Sequence, residues 1–245
     1  MEKIIHPQSK ASSISTNWLS LAEILIVMSI PIFLIIFTKS WVGDDLMRGI
    51  VIVWTSYIIM FLIILIGLKL RNQSIQEFGI HFQKPTFSHS LKVLGWSIVV
   101  FVLGTGGFIL GSILMANITG IPESADFSNY EYLRGNIGML ILTLAGVYVI
   151  SSFGEEVIFR AFLITRISEL LGHSRIGIYF AVIVSAIIFG LAHYEWGAMG
   201  VIQTGFMGLM MGIFYIWLER RLWILVIAHM YMDTLLIVPF YFGGS

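Results

Sequence analysis

Residues 135–160 read GNIGMLILTLAGVYVISSFGEEVIFR. The first twenty carry no charge, and roughly twenty apolar residues of helix cross a hydrocarbon core about 30 Å thick. Without a polar linker, Glu155, Glu156 and Arg160 then follow. The first part sets the fold class, and the second asks why charges stand against a membrane span.

Working outward, charge-free runs of similar length occupy residues 49–68, 93–116, 176–192 and 196–218. Two more are interrupted: 18–38 by Glu23 and Pro31, and 222–241 by His229 and Asp233. Seven spans result, and the expected fold is an all-α polytopic transmembrane helical bundle. Composition agrees. Hydrophobic residues make up 58% of the 245 and charged residues 11%, against about 25% charged in soluble domains. The reading divides the chain into a cytosolic tail (1–17), three accessory transmembrane spans (18–134) and a chemistry-bearing transmembrane core (135–245). The apolar run after the tail is too long for a signal-peptide core, so the first span is expected to stay uncleaved. A net charge of zero gives no reason to expect a nucleic-acid partner. The absence of cysteine excludes disulfides, thiolate catalysis and iron–sulfur clusters.

Basic residues set the expected orientation. With the N-terminus inside, ten fall on cytoplasmic segments: Lys3, Lys10, Lys69, Arg71, Lys84, Lys92, Arg166, Arg175, Arg220 and Arg221. Only Lys39, Arg48 and Arg134 fall outside, beside an acidic loop with Glu123, Asp126 and Glu131. The expectation is a multi-pass protein of the cell membrane with a cytoplasmic N-terminus.

A charge at the bilayer centre costs at least ~2.5–3.5 kcal/mol on insertion scales, so each one needs a reason. Three clusters stand out: Glu155-Glu156-x-x-x-Arg160, Phe189-x-x-x-His193 and His229-x-x-x-Asp233. Residues four apart share a helix face, so Glu156 can reach Arg160, His229 can reach Asp233, and Phe189 backs His193. Adjacent Glu155 and Glu156 point apart and cannot do the same work. With Glu156 tied to Arg160, Glu155 is free to face a cavity as a general base. Residues 172–174 read as a tight turn. Glu155 lies 18 residues before His173 and His193 lies 20 after it, so an antiparallel hairpin brings them to one height.

Singly, each cluster has an ordinary structural reading. A Glu–Arg pair at this spacing is commonly an ion pair, and a lone intramembrane His is commonly a packing residue. Glu, His, His and Asp on consecutive helices are harder to explain in that way. Glu23 reads as a snorkelling or interfacial residue. His6, His81, His89 and His173 lie in polar segments and read as solvated. Glycine pairs 107/111 and 208/212 have the GxxxG spacing of closely packed helices.

EExxxR, FxxxH and HxxxD, each on its own helix, resemble the CAAX-protease and bacteriocin-processing (Abi, CPBP) family of intramembrane peptidases. The resemblance covers roughly residues 135–233 and implies a helical-bundle endopeptidase acting on peptide or protein substrates. By motif position it makes Glu155 the base that activates water, assisted by His193. His229 and Asp233 would stabilise the oxyanion or support the group that does, and Glu156 and Arg160 would shape the site. Eukaryotic relatives have Asn where this chain has Asp233. An ionised carboxylate cannot donate to an oxyanion, so Asp233 is expected to orient His229 or, less simply, to ligate a metal. Metal-free catalysis is favoured, since the chain has no HExxH. The alternative is zinc held by Glu155, His193 and His229, a donor set of known catalytic type. Rival functions are an ion- or proton-coupled transporter and a non-catalytic immunity or scaffold protein.

Overall fold

The structure is a computed structural model that describes residues 13–43, 45–81, 86–120 and 128–243. Lys3, His6, Lys10, Lys84, Glu123 and Asp126 lie outside the described residues. Seven helices are long and apolar enough to cross a membrane. We number them α1 (Ser13–Val42), α2 (Leu46–Leu70), α3 (Phe87–Thr119), α4 (Ile137–Leu170), α5 (Arg175–Ala192), α6 (Gly197–Trp217) and α7 (Leu222–Tyr241). The chain is thus an integral multi-pass membrane protein with an all-α fold. Its outer wall fits lipid: Phe33, Ile36, Ile176, Ile187 and Leu235 are all more than half exposed, a density of apolar surface that water would not tolerate. α1 begins at Ser13, so the last residues of the expected tail are helical. Water can solvate the backbone ends of such an extra turn.

Polar residues start most of the other spans. The side chains of Asp45, Thr86, Asn136 and Ser174 accept backbone N–H groups at the starts of α2, α3, α4 and α5. Between α4 and α5, Gly172 and His173 take positive φ angles of 68° and 54°. They form the tight turn read from the sequence.

Glycine sets the close packing of α3 on α6. A Cβ added at Gly107 would meet the Phe206 carbonyl oxygen at 2.8 Å, and one at Gly111 the Ile202 carbonyl oxygen at 2.9 Å. Both are backbone contacts, so no side chain could turn aside to make room.

Two expectations are corrected at the level of elements. The fourth span does not end at Gly154. It continues through Glu155, Glu156 and Arg160 to Leu170, making 34 residues. Its middle, Tyr148–Leu163, is a π-helix, a form otherwise found mostly as single-turn bulges, often at functional sites. The helix runs on because its charged residues find partners inside the bundle rather than in water.

Glu23 is not a snorkelling residue. Its carboxylate accepts from Arg71 Nε at 2.7 Å and Arg166 Nε at 2.6 Å. Glu169 pairs with the same two guanidinium groups at 3.1 and 2.9 Å. This closed cycle ties α1, α2 and α4 together at one end of the bundle. Arg220 reaches Thr165 there as well, at 3.2 Å. Arg71, Arg166 and Arg220, three of the basic residues counted as cytoplasmic, therefore gather at this end.

Candidate active site

The three clusters meet. Glu155, His193, His229 and Asp233 all line one cavity of about 430 Å³, a size typical of ligand sites. Its remaining walls are largely apolar and include Phe101 and Phe108 from α3, Met207 from α6, and Met232 and Leu236 from α7. Tyr130, Trp196 and Ile237 line it at the end of the bundle away from the arginine cycle.

His229 is the centre of the arrangement. It is 3% exposed. Its Nδ1 lies 2.8 Å from Glu156 Oε1, and that oxygen lies 3.1 Å from Arg160. A carboxylate accepts, so Nδ1 carries the proton. The other ring nitrogen, Nε2, faces Glu155 Oε2 and Asp233 Oδ1, each at 3.8 Å. Glu155 and Glu156 thus address opposite nitrogens of one imidazole, as their divergent directions require.

The Glu156–Arg160 pair read from the i,i+4 spacing is present, with the two side chains at most 1% exposed. The orienting partner of His229 is corrected, however. The 2.8 Å bond comes from Glu156 rather than Asp233. Asp233 Oδ2 instead accepts the Ser152 hydroxyl at 2.7 Å. Ser152 stands one turn before Glu156 on α4, and its bond holds the carboxylate to that helix.

Phe189 explains why FxxxH is a unit. Its carbonyl accepts from His193 Nδ1 at 2.8 Å. The acceptor is a carbonyl, so a hydrogen sits on Nδ1, and Nε2 takes no part in that bond. The Phe189 ring meets the His193 ring edge-on, with centroids 4.8 Å apart. The guanidinium of Arg160 lies over it, 4.3 Å from the centroid. One side chain therefore backs a cavity histidine and the buried cation together. Trp196 closes the far side of His193 at 5.1 Å.

Sequence reasoning missed two contributors. One is Ser152. The other is Tyr57 of α2, whose hydroxyl donates to Glu155 Oε1 at 3.1 Å. The only signal available for either was a hydroxyl within a long apolar run. His81, His89 and His173 are exposed, as expected.

The zinc alternative can be tested on the donor set. Among the described residues no group of three His, Cys, Asp or Glu side chains is placed to hold a metal ion. The Nε2 of His229 stands 3.8 Å from each carboxylate oxygen before it. No step below is routed through a metal.

This is a buried carboxylate–histidine cluster inside a helical membrane bundle. Residues 137–235 match the model of a family described as type II CAAX prenyl endopeptidase Rce1-like. The match spans all six candidate residues and leaves α1, α2 and α3 outside. No curated protein and no solved structure matches the chain.

Proposed function

We propose that the chain hydrolyses peptide bonds within the membrane by water that Glu155 activates. The observation supporting this most directly is the convergence of Glu155, His193, His229 and Asp233 on one cavity. A proton relay would need ionisable groups graded through the membrane. Here they surround a single volume.

In this reading water in the cavity gives a proton to the Glu155 carboxylate, which lines that cavity. The nascent hydroxide attacks the carbonyl carbon. His193, through its Nε2, accepts from the water and orients it. His229 presents Nε2 to the reacting centre. When that nitrogen is protonated it donates to the oxyanion, and Glu156 and Arg160 hold the ring in place. The C–N bond then breaks, and the proton taken by Glu155 passes to the leaving amine. The net reaction is peptide plus water to carboxylic acid plus amine. Asp233 accepts from Ser152 and balances charge beside Nε2. It supplies no hydrogen bond to the oxyanion while ionised.

The substrate is a peptide or protein segment reaching the cavity from the bilayer or its surface, as the apolar walls favour. Purified protein incubated with a peptide pool in ¹⁸O-labelled water should place one ¹⁸O in each new C-terminal carboxylate, read by mass spectrometry. Cleavage without label incorporation, or no cleavage at all, would overturn the reading.

A further inference from the structure

We infer that Tyr57 is a positioning residue for the general base, so that α2, outside the family match, completes the active site. The inference rests on the reading of Glu155 as base. Tyr57 donates its hydroxyl to Glu155 Oε1 at 3.1 Å across 98 positions of sequence. Glu155 Oε2 has no hydrogen-bond partner and faces His229 Nε2 at 3.8 Å. The phenol therefore occupies one carboxylate oxygen and leaves the other turned towards the histidine.

Local packing supports this role. A Cβ added at Gly154 would stand 3.3 Å from Tyr57 Cδ1, so the glycine before the base lets the ring lie against α4. Without the phenol, the carboxylate loses its one side-chain hydrogen bond among the described residues and can rotate about its own side-chain torsions. His193, His229, Asp233 and Arg160 are the other charged or titratable groups that act on Glu155, and none of them forms a hydrogen bond with it. Tyr57 is therefore placed to fix the direction of Oε2.

The test uses full-length protein in detergent and a quenched-fluorescent peptide that the wild type cleaves. Tyr57→Phe keeps the ring and removes the donor. It should lower kcat by about tenfold, with KM within about twofold of wild type and the melting temperature unchanged. Tyr57→Leu, which also removes the ring, serves as the packing control. Normal kcat in Tyr57→Phe, with loss only in Tyr57→Leu, would show a packing role and overturn the inference. A loss in Tyr57→Phe matched by a fall in melting temperature or a rise in KM would overturn it too. Full activity in Glu155→Gln is a separate failure, since it would remove the base itself.

Discussion

At the scale of single residues, each carboxylate is defined by what occupies its oxygens. Glu156 is fully buried between His229 and Arg160, whereas Glu155 accepts from Tyr57 and lines the cavity. Glu156→Ala should leave Arg160 buried without its counter-ion and His229 without its orienting acceptor. Breaking a buried pair on one side costs ~3–5 kcal/mol. We expect a lower melting temperature and lower yield, measured by thermal denaturation in detergent. Wild-type stability in this variant would show that the pair does not hold the site. The division between the two carboxylates was legible because adjacent helical residues diverge and a partner lay four positions on. The roles of Ser152, Tyr57 and Glu23 were not. Ser152 and Tyr57 meet partners 81 and 98 positions away, and Glu23 finds its arginines on two other helices. Local spacing carries no trace of such pairings. Asp233 misled for a related reason: it stands i+4 from His229, but a closer acceptor arrives from α4.

At the scale of elements, seven apolar runs and their polar punctuation were enough to read the helices, and the α4–α5 turn gave the common height of Glu155 and His193. The π-helix was hidden. Its residues are largely the same apolar and small types that an α-helix accepts, and a partner such as Ser185, which donates to the Phe159 carbonyl at 2.6 Å, lies 26 positions away. Packing between elements depends on glycine at the α3–α6 contact. Gly111→Leu would drive a side chain into the Ile202 carbonyl and the Gln203 Cα, both at 2.9 Å from even a single added carbon. Overpacking of this kind costs ~1–3 kcal/mol or more. The expected result is a measurable fall in melting temperature. An unchanged value would mean that α3 and α6 separate freely.

At the scale of the whole molecule, the two ends of the bundle differ. The arginine cycle marks one end, and the cavity runs towards the other, beside Trp196 and Tyr130. With the N-terminus inside, the cavity faces away from the cytoplasm. These 245 residues include no cysteine, so Trp196→Cys introduces a single thiol at that end. A membrane-impermeant maleimide should label it in intact cells, and labelling only after lysis would reverse the orientation. The central claim concerns chemistry rather than topology. It is tested most directly by comparing peptide hydrolysis by purified wild type and Glu155→Gln, a change that removes the base while keeping size and polarity. The account predicts that the variant stays folded in the membrane and loses cleavage by a factor of about 100 or more. Near-normal hydrolysis by folded Glu155→Gln would contradict it.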